Sequence, residues 1–176
     1  MMIQLSTFMW MLAVCFAVIG FLRGWQKEFT ATAGIILATF ALFRFDAFLR
    51  TIFFGFTPQQ LFLAQFVAFI VIVFIVYQAK QVGGGGVRND DDLQDGLIGA
   101  LAGAINGYLI GGAIWYFLDI TAYPFEEFVS APALGSASAQ SIGLIPMVFL
   151  GGGADGTGAA LSVGVLILVF IVLLSI

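Results

Sequence analysis

Few side chains in this sequence are of the kinds that do chemistry. The 176 residues include no histidine and one cysteine, Cys15. Ser-His-Asp and Cys-His catalysis are thereby excluded, as is a disulfide within the chain, and the usual holders of haem, zinc, copper or iron–sulfur clusters are missing. Leu12-Ala13-Val14-Cys15 has a slight likeness to a lipoprotein acylation site, but Val14 is large for the position before the cysteine and no basic flank precedes it. Cys15 therefore reads as a small residue buried in the membrane. Asp90, Asp91, Asp92 and Asp95 have the chemistry to gather Ca²⁺ or Mg²⁺, yet the EF-hand spacing fails: its sixth position would be Asp95 instead of glycine and its twelfth Leu101 instead of glutamate. A solvated turn fits better, with Asp95 free to cap the helix that follows. Gly151-Gly152-Gly153-Ala154-Asp155-Gly156 satisfies G-x-G-x-x-G, but only an apolar run follows, leaving no room for a βαβ unit or its ribose-binding acid. No Walker lysine follows Gly83–Gly86 and no G-x-S-x-G elbow exists. The sequence thus names no catalytic, cofactor-binding or metal-binding residue.

The elements that must position the remaining polar groups are membrane helices. Of the residues, 61% are hydrophobic and 9% charged, with a mean hydropathy of +1.10. A water-soluble fold could not hide that much apolar surface, so the solvent is largely lipid. Several runs reach the roughly 20 residues that a helix needs to cross about 30 Å of hydrocarbon, and charges gather between them. That pattern favours helices over the alternating segments of a β-barrel. The net charge of −4 comes with no block of Lys and Arg able to neutralise a phosphate backbone, so nucleic acid is not an expected partner; the bilayer, and other membrane subunits or a second copy of the chain, are.

The spacing predicts five spans, at about 2–22, 29–49, 59–78, 95–118 and 158–176. The first has no basic flank or cleavage site and reads as a retained helix rather than a signal peptide. The connector RGWQKE carries Trp25 and Lys27 as interface anchors, and Arg50, with Arg44 and Asp46, marks the far end of the second span. Between 119 and 157 lies a loop rich in Ala, Ser and Gly, without a basic residue, whose GLIPMVFL is a candidate half-helix, re-entrant or on the surface. Arg23, Lys27, Lys80 and Arg88 put the first and third connectors in the cytoplasm, with the amino terminus outside and the carboxy terminus inside.

The fourth span holds the clearest pattern. Gly99, Gly103, Gly107 and Gly111 recur every fourth residue, although each glycine costs a helix about 1 kcal/mol relative to alanine. Residues at that interval share one side, so they form a stripe without side chains into which a neighbouring backbone can press. The neighbour is within this chain, on another subunit, or the stripe lines a pore. Asn106 lies beside the stripe and requires an interhelical partner, because an unsatisfied amide in hydrocarbon is expensive. Glu28, at the start of the second span, suits the helix dipole and is in range to pair with Arg23.

Arg23-Gly24-Trp25-Gln26-Lys27-Glu28 after a first apolar helix, followed by a small-residue helix, resembles the opening of the colicin V production protein family. The stretch from Asp95 through Gly99 and Gly103 to Gly107 is similar to that family's D-x-x-x-G-x-x-x-G-x-x-x-G pattern. Arg23, Gly24, Glu28 and Asp95 carry the likeness, which covers about 1–118. Two features depart from it: Asn106 stands where members often have a basic residue, and the loop 119–157 and span 158–176 look like an addition to a usual four-span core. The resemblance implies a bacterial inner-membrane protein linked to colicin V export and envelope homeostasis, without enzymatic activity. The expectation is an all-α bundle of about five transmembrane helices acting as a scaffold or accessory component of a membrane assembly. An accessory subunit of a photosynthetic or respiratory complex and a small channel or transporter are the alternatives.

Overall fold

Long apolar runs in lipid have no water to satisfy their backbone and must become helices. The computed structural model describes residues 4–78, 92–151 and 157–174, and among these there is no strand. α1 (Leu5–Arg23) leads through Gly24 into α2 (Trp25–Arg44) and α3 (Asp46–Ile52). A turn through Gly55 reaches α4 (Pro58–Gln78), then α5 (Asp92–Ile120), the short α6 (Ala137–Ser141), a 3-10 turn (Ile142–Leu144), α7 (Pro146–Gly151) and α8 (Ala159–Leu174).

RGWQKE is not a connector. Gly24, at φ +83°, makes a one-residue corner, and helix resumes at Trp25. Only glycine takes that backbone conformation without strain, so a polar stretch can turn without a loop. The second span also fails to run unbroken to residue 49. It bends by 58° between Arg44 and Asp46, leaving α3 as a separate piece. α4 opens on a reciprocal cap: Gln60 N–H donates to Thr57 Oγ1 at 3.3 Å and Thr57 N–H to Gln60 Oε1 at 3.0 Å. Pro58 takes the first helical position, where its missing N–H is harmless.

α1, α4 and α5 are each long and apolar enough to cross a membrane, and α2 with α3 makes a bent fourth candidate. The expected fifth span corresponds to α8, of which residues Ala159–Leu174 are described. α5 is the centre of the bundle, packing along α1 and touching α2, α4 and α7. Met9, Ile35, Phe69, Trp115, Phe117, Ile145 and Met147 fill the core between them. Val14, Phe74, Leu101 and other large apolar side chains point outward, as a helix in lipid permits. The stretch GLIPMVFL supplies most of the 3-10 turn and most of α7; Pro146 and Met147 are buried, and a Cβ on Gly112 of α5 would strike the Pro146 ring.

Candidate functional site

One end of the bundle brings together Arg23, Glu28, Asp95 and Asn106 of the polar residues that the sequence singles out. Its base is the contact between α1 and α5, which run antiparallel. A Cβ on Gly103 would overlap the carbonyl of Phe16 and lie 3.0 Å from Cα of Gly20. On Gly107 it would overlap the Leu12 carbonyl, on Gly99 the Gly20 carbonyl, and on Gly111 it would come within 3.0 Å of Cα of Met9. The stripe therefore faces α1, within this chain. Gly20 answers it from the other side, a partner that one glycine in an apolar run gives little sign of.

The same contact brings the two halves of the family-like pattern together. Asp95 sets its carboxylate over Gly24: a Cβ there would lie 2.5 Å from Oδ2. Asp95 does not cap its own helix. α5 begins at Asp92, so Asp95 lies inside its first turn, where the dipole favours a carboxylate, and it also faces the start of α2.

One turn into α2, Glu28 points into the junction of four helices and has no exposed surface. Arg23, the last residue of α1, donates from Nη1 to Oε1 at 2.6 Å. Asn106 of α5 donates from Nδ2 to Oε2 at 2.9 Å and to the Glu28 carbonyl at 3.1 Å. The Tyr77 hydroxyl of α4 donates to Oε2 at 3.1 Å. Thr32, one turn further along α2, lies 2.7 Å from Asn106 Oδ1 and donates to it. The Arg23 guanidinium also donates from Nη2 to the Tyr77 carbonyl at 3.0 Å and covers the Tyr77 ring at 4.4 Å from its centroid. All three groups on the carboxylate are donors, the arrangement an ionised glutamate accepts.

Each charge in this junction is met by its opposite or by a hydrogen bond, as burial in low dielectric requires. Both carboxylate oxygens accept hydrogen bonds from other helices, so the junction ties α1, α2, α4 and α5 together. Tyr77 and Thr32 are the members that sequence reasoning missed. Tyr77 carries a signal, a phenol at the end of an otherwise apolar helix, but nothing in its spacing points to Glu28, 49 residues away.

The remaining anchors lie apart from it. Trp25 is 40% exposed, edge-on to Phe29, and Lys27 is exposed. Arg50 is at the opposite end, paired with Asp46 at 2.8 Å and donating to the Ile120 carbonyl at 3.3 Å. There the buried Gln65 donates to Asp46 Oδ1 at 2.7 Å, while its own Oε1 receives no hydrogen bond from the described residues. Just past the end of α5, the Tyr123 hydroxyl accepts from Trp115 and donates to Asp119, both in the last turns of that helix. Burial, first of all, pushes the Tyr123 phenol up to about 12. The described residues contain no group of His, Cys, Asp and Glu placed to hold a metal; Asp90, Asp91 and residues 152–156 lie outside them.

A family model described as Colicin V production protein matches residues 5–143. The match runs past α5 through α6, further than the motif-bearing stretch 1–118. No curated protein and no solved structure matches the chain.

Proposed function

Because the chain belongs to the colicin V production protein family, we propose that it is a non-enzymatic multi-pass protein of a bacterial inner membrane. In this reading it serves as a scaffold or accessory component of an assembly linked to colicin V export and envelope homeostasis. What supports the reading is the way its buried polar groups are used. Arg23, Asn106 and Tyr77 all donate to Glu28, so the one fully buried carboxylate of the site is fixed in place rather than offered to a substrate. The outer surface, by contrast, is a broad array of exposed apolar side chains on α1, α4 and α5. Such faces suit lipid and other membrane helices. The amino terminus and the loop 119–157 are assigned to the outer side, and Trp25 and Lys27 to the cytoplasmic boundary, on the distribution of basic residues.

Purification in mild detergent followed by native mass spectrometry tests the proposal. Other membrane subunits at fixed stoichiometry are the expected result. A chain that purifies only with itself and passes ions in liposomes would make it a channel and overturn the scaffold role.

A further inference from the structure

We propose that α3 is an interfacial helix, lying at the headgroup–acyl boundary of the bilayer with Phe45, Phe48 and Ile52 turned towards the acyl chains. At seven residues it is about 10 Å long, far too short to cross a membrane. The 58° bend takes it off the axis of α2. It leaves that axis at the level where the spans stop: Arg50 Nη2 donates to the carbonyl of Ile120, the last residue of α5, and α4 begins six residues after α3 ends.

Three edges of α3 then have three different surroundings. Asp46 and Leu49 face the bundle, Asp46 holding Gln65 of α4 and Leu49 packing on the core. Phe45, Phe48 and Ile52, spaced three and four apart on a second edge, are 55%, 60% and 58% exposed, and the two rings meet edge to face at 6.5 Å between centroids. Ala47 and Thr51 form the third edge, exposed, with the Thr51 hydroxyl returned to the Ala47 carbonyl. A helix seated on protein along one side, with an apolar edge at one margin of that seat and the charged Arg50, paired with Asp46, at the other, fits the plane between hydrocarbon and water. Phenylalanine on the apolar face with arginines, here Arg44 and Arg50, beside it is a composition that interfacial helices carry, and the aromatic edge continues into Phe54, 91% exposed. The occupant of the Phe45–Phe48–Ile52 edge is accordingly phospholipid.

The test places a spin label on each exposed edge of the full chain. With Cys15, the lone cysteine, changed to Ser, single variants F48C, I52C and T51C are labelled and reconstituted into liposomes of phosphatidylethanolamine and phosphatidylglycerol; V67C, on the outer face of α4, serves as a deep reference. Power saturation with oxygen and with a water-soluble nickel chelate reads the depth of each. The expected oxygen-to-nickel accessibility ratio is several-fold higher at 48 and 52 than at 51, and lower at 48 and 52 than at 67. Labels at 48 and 52 closed to both reagents would put a second copy of this chain or another protein on the edge. Labels at 48, 51 and 52 all as deep as 67 would make α3 part of a span. Labels at 48 and 52 as open to nickel as 51 would put α3 in water. Each of these three results overturns the proposal, and I52C repeats the reading should F48C fail to fold.

Discussion

At Glu28 a carboxylate with no exposed surface accepts hydrogen bonds from three side chains on three other helices. Replacing it with alanine removes the acceptor and leaves the Arg23 guanidinium, only 23% exposed, facing an empty site. Removing one partner of a buried pair costs about 3–5 kcal/mol. Glu28→Ala should therefore lower unfolding stability in SDS–detergent mixtures by that order, and Glu28→Gln by less, since the amide oxygen still accepts from Tyr77 or Asn106. Arg50→Ala is the contrasting case. Its pair with Asp46 is 40% and 26% exposed on the two side chains, and exposed pairs contribute about 1 kcal/mol or less. In the same assay its midpoint should stay close to that of the unaltered chain, and a loss equal to that of Glu28→Ala would contradict the distinction. The Arg23–Glu28 pairing is legible in the sequence because the two lie five positions apart, although the Gly24 corner that lets them meet is not. Tyr77 and Asn106 are not legible as its partners, because they arrive from helices whose arrangement no local spacing encodes.

The glycine stripe is the feature of an element most readable in one dimension, since a four-residue interval places its members on one side of any helix. Which helix meets that side is a property of the fold. The contact is made backbone to backbone: Gly103 meets the Phe16 carbonyl and Gly20 Cα. A methyl group there has no flexible side chain to push aside, so α1 and α5 must separate. Gly103→Ala should destabilise by about 1–3 kcal/mol, the range for overpacking, and Gly103→Leu by more. Gly164 of α8 has nothing within 4 Å of a would-be Cβ. There the same change should be neutral or stabilising by up to about 1 kcal/mol, the helix propensity difference alone. Equal losses at both positions, measured by thermal unfolding in one detergent, would show that propensity and not contact governs the seam. Element boundaries are less readable. The polar RGWQKE looks like a loop, yet a single glycine at positive φ turns the chain and lets Trp25–Lys27 form a helical turn. The α2–α3 break at Phe45 carries neither Pro nor Gly, so no residue type announces it.

For the molecule as a whole, composition alone suffices for a membrane helix bundle, but not for its internal order. α1, α4 and α5 are apolar on nearly every side, so no polar face distinguishes outer helices from the central one. α5 takes the centre because its glycines admit α1 closely while Asn106 gives α2 a polar contact. The antiparallel packing also puts the start of α1 and the segment after α5 at one end, and the Gly24 corner at the other: Ser138 of α6 bonds Ser6 at 3.1 Å, whereas Asp95 meets Gly24. That pairing turns the charge-based orientation into a measurement on two residues. In a chain with Cys15 changed to Ser, Leu134→Cys samples the first end, being fully exposed there, and Lys27→Cys samples the second. A membrane-impermeant maleimide should label Leu134→Cys in cells with the inner membrane intact and Lys27→Cys only after that membrane is opened. The reverse pattern would invert the protein with its fold unchanged. Labelling of both from one side would contradict the crossing of α1, because the corner at Gly24 and the Ser6–Ser138 contact must then share a membrane face, which a 19-residue apolar helix between them does not allow.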